Sequence, residues 1–161
     1  MTYQEAKNHI DREAACRFFP ATVAPVTGKG RVMQITRETD YAIRCVYYLA
    51  GKGNKVTMVD EIARNMKSPK SFLAKILQKL VKADIVKSHR GVKGGFTLAK
   101  RPRDINFLHV IEAIQGPIAL NVCALDKKMC EFSNVCSIHP VWVDARKQVE
   151  KLLKKKNFAD L

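Results

Sequence analysis

Long apolar runs are missing from this chain of 161 residues. None approaches the roughly 18 residues that a membrane-spanning helix needs, which argues against a membrane protein. The first 20 residues include acids and no continuous apolar stretch, so a secretory signal is not expected. These absences predict a cytoplasmic protein without a membrane partner. Hydrophobic residues nonetheless make up 47% of the chain, which is enough to bury a core.

Acidic residues are also scarce. The chain has 15 Asp and Glu against 29 Lys and Arg, which gives a net charge of +14. Residues 64–103 hold 12 basic residues and one acid, Asp84, and therefore carry +11 of that charge. This excess predicts an anionic partner, and nucleic acid fits better than an anionic membrane surface. A basic surface that only aids solubility would not need to be concentrated in one segment.

Apolar residues spaced three and four apart predict three helices between residues 36 and 83. Thr36 is expected to cap the first helix, and a capping box of Thr57 and Asp60 to open the second. Ser-Pro at 68–69 should open the third, with Ser as the cap and Pro at the first helical position. The residues expected to face the core are Ala42, Cys45, Val46 and Leu49 in the first helix, Val59, Ile62, Ala63 and Met66 in the second, and Leu73, Ile76, Leu77 and Leu80 in the third.

The second and third helices are joined by only a few residues, which is typical of a helix-turn-helix whose second member enters the major groove. A β-hairpin is predicted next, with strands over 86–90 and 96–98 and a glycine-rich loop between them. Arg90 and Lys93 flank the tip of this loop. A helix-turn-helix followed by a basic hairpin is the winged-helix arrangement. A plain surface hairpin would not explain a loop that is both glycine-rich and basic.

Two more helices are predicted after the hairpin. Asn106 should cap a helix that ends near Gln115, with Leu108, Ile111 and Ile114 facing inward. The last helix, over about 140–156, is amphipathic, which predicts a dimer interface or, alternatively, packing against its own domain.

The predicted fold is mainly α with a small β-hairpin wing. It consists of a winged helix-turn-helix DNA-binding domain over residues 33–103, followed by a cysteine-bearing sensor loop and dimerisation helices over 104–161. Residues 1–32 are expected to be a poorly ordered extension with a weak helix over 3–17.

The five cysteines argue against a disulfide framework in a reducing compartment and favour metal, cluster or redox chemistry. Cys45 lies on an apolar helix face and is expected to be a buried core thiol. Cys16 has no predicted role. The other three lie in the irregular segment over residues 118–137, the cysteine segment. They are Cys123, Cys130 and Cys136.

The cysteine segment admits three kinds of chemistry. Thiolates suit soft metals and iron–sulfur clusters, and the neighbouring lysines at 127–128 would help to lower the thiol pKa values. A structural zinc site that uses the three cysteines and His139 is an alternative, although zinc ligand pairs usually lie two to four residues apart. A metal-free thiol redox switch also stays open. The spacing ranks a cluster slightly above zinc.

An enzyme of the cysteine-dependent class is a further alternative, with Cys123 or Cys136 as the nucleophile and His109 or His139 as the base. No oxyanion-hole or nucleotide-binding glycine motif accompanies these residues. The loop over 91–95 precedes a strand and not a helix, so it is a poor phosphate-binding loop. We therefore expect no enzymatic activity and no small-molecule substrate.

From Met33 to Leu161 the sequence resembles the winged helix-turn-helix transcriptional regulators typified by the iron–sulfur cluster regulator IscR and the nitric-oxide-sensing repressor NsrR. The resemblance is carried by TDYAIR at 39–44, SFL at 71–73, RGVKGGFTL at 90–98 and the three cysteines. It implies a homodimer that represses transcription from a partly palindromic double-stranded operator.

The resemblance also implies roles for basic residues in the two DNA-binding elements. Lys70, Ser71 and Lys75 of the recognition helix would lie at or near base edges and phosphates in the major groove. The wing, with Arg90 and Lys93, would lie in the minor groove, and Arg90 would enter it.

The resemblance finally implies a 2Fe–2S or 4Fe–4S cluster bound by Cys123, Cys130 and Cys136. Its fourth ligand would be either His139 or an aspartate at the start of the partner's first helix, matched by Asp40. Asp40 is slightly favoured, since Thr36 is already available as the cap. Nitric oxide, iron supply or redox state would then alter the spacing of the recognition helices and so the affinity for DNA.

Overall fold

The apolar spacing produces the predicted mainly helical fold with one β-hairpin. The computed structural model describes residues 34–161, so the extension over 1–32, its predicted helix and Cys16 lie outside the described residues. The elements are α1 (Arg37–Gly51), α2 (Val59–Met66), α3 (Lys70–Lys82), β1 (Val86–His89), β2 (Gly95–Leu98), α4 (Phe107–Gln115) and α5 (His139–Lys155). Among these residues no helix is both long enough and apolar enough to cross a membrane.

The hydrophobic core lies where α1, α3 and β1 meet. All of the residues predicted on the inner faces of α1 and α3 are buried. In α2 only Ile62 is fully buried, while the other three predicted residues pack half-buried against the same core. Ile105, Val110 and Phe158 belong to the same cluster, so residues after the hairpin complete this core. The domain division between 103 and 104 stays a prediction.

The predicted start of α1 is confirmed and that of α2 is wrong. The Thr36 hydroxyl accepts a hydrogen bond from the backbone N–H of Thr39 at 3.2 Å. α2 instead follows Met58, which makes no side-chain cap. Thr57 pairs with Phe96 of β2 through two backbone hydrogen bonds of 3.0 and 2.9 Å. Thr57 therefore extends the sheet and is not available to open a capping box with Asp60.

The predicted start of α3 is displaced by one residue. Pro69 is the cap residue and Lys70 is the first helical residue, and no side chain caps the helix. Ser68 instead donates its backbone N–H to the carbonyl of Ala63 at 3.2 Å and so closes the end of α2. In this tight turn Ser68 therefore caps the C-terminal end of α2 and does not cap the N-terminal end of α3.

The start of α4 is confirmed, but the helix is rotated from its predicted orientation. Asn106 accepts a hydrogen bond from the backbone N–H of His109 at 2.9 Å. Val110 and Ile111 are buried, whereas Leu108, which we predicted to face inward, is only half-buried. α4 packs against α1, α3 and α5, so its side chains face more than one neighbouring helix.

Gln115, the last residue of α4, ties that helix to the start of α1. Its Oε1 accepts hydrogen bonds from the Thr39 hydroxyl at 2.7 Å and from the backbone N–H of Thr36 at 3.1 Å. Its Nε2 donates to the carbonyl of Gln34 at 3.3 Å. Thr39 is fully buried, so the amide also satisfies a hydroxyl that water cannot reach.

α5 lies on the outside, and none of its residues is buried. The chain then returns to the core, because the backbone N–H of Phe158 donates to the carbonyls of Pro102 at 3.2 Å and Ile105 at 3.3 Å. The Phe158 ring stacks on Phe107, with 4.8 Å between the ring centroids. The C-terminal end of α5 is thereby fixed beside the beginning of α4.

We expect Gly95→Ala to destabilise the hairpin, because a Cβ at this position would overlap the carbonyl of Thr57. The cost should be about 1–3 kcal/mol, as for other substitutions that overfill a packed site. Gly51→Ala is the matched control, since nothing lies within 4 Å of its added Cβ and alanine favours a helix. Urea unfolding of both variants measures the difference. Equal stability of the two would contradict the assigned pairing of Thr57 with β2.

Candidate functional site

The outer face of α3 is polar and basic, whereas the opposite, apolar face is buried in the core. Every polar residue of this outer face is exposed. They are Lys70, Ser71, Lys75, Gln78, Lys79 and Lys82. The turn between α2 and α3 occupies three residues, so the pair has the helix-turn-helix geometry that presents α3 to a groove.

Two lysines of this face form ion pairs with neighbouring helices. Lys70 contacts Asp60 of α2 at 2.8 Å, and Lys79 contacts Glu38 of α1 at 2.6 Å. Such exposed pairs contribute at most about 1 kcal/mol, so a phosphate can replace either carboxylate. Lys75 has no ion-pair partner within residues 34–161. The predicted DNA contacts of Lys70, Ser71 and Lys75 stay predictions.

The hairpin presents an exposed basic tip, as predicted from the glycines. Arg90 and Lys93 are both exposed. Gly91 has a φ of 108°, a left-handed conformation that favours glycine, and a Cβ on Gly94 would overlap the carbonyl of His89. The tight loop therefore leaves the two basic side chains free to extend toward a partner.

Short 3₁₀ turns make up most of the cysteine segment. They are Val122–Ala124, Lys127–Met129 and Glu131–Asn134. Its backbone hydrogen bonds join residues only three or four positions apart. Cys123 is buried, while Cys130 and Cys136 are half-buried, and all three thiols are free. Local bonds of this kind can rearrange without unfolding the surrounding helices.

The single chain does not bring the candidate ligands together. Within residues 34–161, no group of three or more His, Cys, Asp or Glu side chains is gathered closely enough to hold a metal ion. Asp40 is instead bonded to Arg44 at 2.8 Å on the exposed side of α1. Since Thr36 caps the helix, Asp40 is not needed for capping, as we expected. The roles of Asp40 and of the cysteines stay predictions.

The cysteine segment does contain polar atoms that lack a partner. The Ser133 hydroxyl and Nδ1 of His139 are the two buried side-chain polar atoms without a hydrogen-bond partner in the described part of the chain. They lie three residues before and three residues after Cys136. Buried polar groups are normally hydrogen-bonded, and these two atoms are exceptions within the described residues.

Arg146 of α5 holds the first turn of the cysteine segment. Its guanidinium donates to the carbonyl of Ala124 at 2.7 Å and to the carboxylate of Glu150 at 2.6 Å. The side chains of this ion pair are only 23% and 27% exposed, less than in any other ion pair of residues 34–161. Ala124 directly follows Cys123, so Arg146 ties a candidate ligand to α5.

Cys45 is the remaining thiol among the described residues, and it is inert. Burial among the helices raises the pKa of its thiol to about 12. Because the thiolate is the reactive form, only about one Cys45 in 10⁴ is reactive at pH 8. This confirms the prediction of a buried core thiol.

Comparison with known proteins identifies the family. A model of the family described as Rrf2, an iron-dependent transcriptional regulator, matches residues 35–161. This chain belongs to the Rrf2 family. The transcriptional regulator NsrR of Bacillus licheniformis is 32% identical over 111 residues, which are 68% of this chain and 78% of NsrR.

Solved structures of Rrf2-type winged-helix regulators share the fold. CymR (YrzC), the global cysteine regulator of B. subtilis, is 25% identical, with a TM-score of 0.64 over 80% of this chain and 95% of CymR. IscR of T. potens is also 25% identical, with a TM-score of 0.61 over 79% of this chain and 84% of IscR. The predicted resemblance to winged-helix regulators is therefore confirmed.

Membership of the Rrf2 family makes this protein a DNA-binding transcriptional regulator and not an enzyme. The exposed basic faces of α3 and of the hairpin are the candidate surfaces for DNA binding. The alternative with Cys123 or Cys136 as a catalytic nucleophile is excluded on the same ground.

Sequence reasoning missed the roles of four residues of this Rrf2 protein. Ser133 and Gln115 carry no sequence signal, because their hydrogen-bonding environment depends on distant elements. Arg146 and Glu150 were detectable as an i,i+4 pair, but nothing in their spacing indicates the bond to Ala124.

Replacing Arg146 with Met should release the first turn of the cysteine segment. Methionine retains the apolar stem but loses the bond to Ala124, at a cost of about 1.5–3 kcal/mol. Cys123 should then react faster with a maleimide in the metal-free protein, measured by peptide mass mapping. Lys147→Met removes the same charge from an exposed neighbour and should leave the rate unchanged. Equal labelling of Cys123 in both variants would disprove the restraint.

Proposed function

We propose that this Rrf2 protein is an operator-binding repressor whose affinity for DNA depends on an iron–sulfur cluster held by the cysteine segment of a homodimer. The observation that carries the proposal is the coincidence of three free thiols with two buried, unpartnered polar atoms in one segment. The description of the family as iron-dependent agrees with it.

The proposed operator contact combines α3 and the hairpin. Lys70, Ser71 and Lys75 would contact base edges and phosphates in the major groove, since all three are exposed on one face. Lys93 would contact the backbone beside the minor groove, and Arg90 would enter that groove. Because phosphate contacts release counterions, binding should weaken steeply as salt rises.

A homodimer is supported by apolar surface that the single chain leaves exposed. Met129, Phe132, Val135, Ile138 and Val141 are each at least 59% exposed and recur every three residues. They continue into α5, where Leu152 is also exposed and no residue is buried. A second copy of the chain would cover an apolar surface of this kind.

The residues of the cysteine segment suit an iron–sulfur cluster as donors. Cys123, Cys130 and Cys136 would supply three thiolates, with His139 or Asp40 of the partner subunit as the fourth ligand. A bound cluster would supply reactivity toward nitric oxide, iron limitation or oxidants. The donors would come together when the locally bonded 3₁₀ turns rearrange.

The regulatory effect would pass through residues that join the segment to the helices. Arg146 connects the turn after Cys123 to α5. Gln115, the residue before Gly116, connects the end of α4 to α1. A change in the cysteine segment would thus move α5 against α1 and alter the separation of two α3 helices in a dimer. Operators have fixed half-site spacing, so a small change in separation costs affinity.

A metal-free thiol regulator, or a zinc-based one, is the second candidate. It is favoured by the fold shared with CymR, which is named as a global cysteine regulator, and by the separation of the thiols in the single chain. It uses the same surfaces for DNA and differs only in what the cysteines bind.

Anaerobic reconstitution with iron and sulfide distinguishes the two candidates. We expect a coloured protein with about one cluster per subunit, judged by iron and acid-labile sulfide. Cys130→Ala should lose both, whereas Cys45→Ala, which changes the inert core thiol, should retain them. Wild-type protein without sulfide would remove the cluster from the proposal and leave DNA binding in place.

Arg90→Ala tests the wing. On an operator selected from random DNA with the wild-type protein, affinity should fall by about 1–3 kcal/mol, roughly ten- to hundredfold. Arg103→Ala removes the same charge from an exposed position outside α3 and the hairpin, so it should affect binding far less. Fluorescence anisotropy measures both. Normal operator binding by the Arg90 variant would show that the wing assignment is wrong.

A further inference from the structure

The unpartnered hydroxyl of Ser133 has a consequence for the group that the cysteine segment binds. Ser133 is only 5% exposed, and its hydroxyl makes no hydrogen bond within residues 34–161. Its backbone is satisfied, since the N–H of Ser133 donates to the carbonyl of Cys130 at 3.1 Å. The Ser133 hydroxyl is thus an unpaired donor in a local turn that begins at Cys130 and precedes Cys136.

The position of this donor distinguishes it from the other serine of the segment. Ser137 directly follows Cys136 and is exposed, so water satisfies its hydroxyl. Water does not reach the Ser133 hydroxyl, and leaving it unpaired in the interior costs free energy. The other buried polar atom in the same condition, Nδ1 of His139, lies on the other side of Cys136 along the chain. Both unpartnered atoms therefore belong to the part of the chain that carries Cys136.

We propose that the Ser133 hydroxyl donates a hydrogen bond to a sulfur atom of the cluster or of its cysteine ligands, and so sets the reduction potential of the site. This inference rests on the proposed function. Sulfur carrying negative charge is an acceptor to which this hydroxyl can donate. Ser133 is a positioning residue here, and the iron ligands are the cysteines.

A hydrogen bond to sulfur stabilises the more negative, reduced state of a cluster. Loss of the donor should therefore shift the midpoint potential in the negative direction. In the metal-free protein, loss of the hydroxyl should instead stabilise the fold, because it removes a buried polar group that has no partner. Opposite effects in the two states are not expected of a residue that only supports the fold.

Ser133→Ala tests the inference in the full-length protein, with Ser137→Ala as the control. Without iron, Ser133→Ala should unfold at a higher urea concentration than the wild type. After reconstitution with iron and sulfide, it should have a more negative midpoint potential and lose iron to a chelator several times faster. Ser137→Ala should match the wild type in all three measurements.

The outcomes separate this inference from the proposed function. If the wild type takes up no iron and sulfide, the proposed function fails, and the inference fails with it. If the wild type holds a cluster but Ser133→Ala has the same potential and the same iron loss, the inference alone is overturned. A lower stability of the metal-free Ser133→Ala protein would also overturn it, because the hydroxyl would then have a partner within the chain.

Discussion

The three hydrogen bonds of Gln115 join the two parts of the fold on which regulation depends. This amide holds the first turn of α1 against the last turn of α4, and its Oε1 is the partner of the buried Thr39 hydroxyl. α1 in turn packs against α3, whose outer face is presented to DNA. Gly116 begins the chain that leads into the cysteine segment. Any displacement at the start of that segment therefore acts first on a hydrogen-bonded contact with the DNA-binding helices.

The cysteine segment is only locally bonded between α4 and α5. Gln115, which precedes it, is bonded to α1, and Arg146 of α5 fixes the turn that follows Cys123. Between the Arg146 contact and the start of α5 the backbone forms bonds over three or four residues only. Such a segment can gather its thiols around a ligand at low cost, because no sheet or long helix has to be broken. The ends must then respond, since they are attached to α1 and to α5.

Sequence periodicity predicted the buried face of α3 completely and that of α4 only in part. Leu73, Ile76 and Leu80 were predicted correctly because α3 buries one continuous face. α4 packs against α1, α3 and α5, and there Val110 is buried whereas Leu108 is only half-buried. Thr57 has the composition of a capping residue, yet its backbone pairs with β2. The exposed basic faces of α3 and of the hairpin were predictable from charge. Ser133 was not, because an unpaired hydroxyl is recognised only when its surroundings are known.

The exposed apolar side chains of the cysteine segment link the proposed cluster site to the proposed subunit contact. Phe132 and Val135 lie between Cys130 and Cys136, so whatever covers these apolar side chains must approach the candidate ligands. If a second copy of the chain covers them, dimer formation and the gathering of the thiols both depend on the conformation of this segment. Each would then favour or oppose the other. The separation of the two α3 helices then depends on that conformation through Arg146 and α5. In the proposed regulator the ligand site and the subunit contact would use the same residues, so the response would need no hinge between domains.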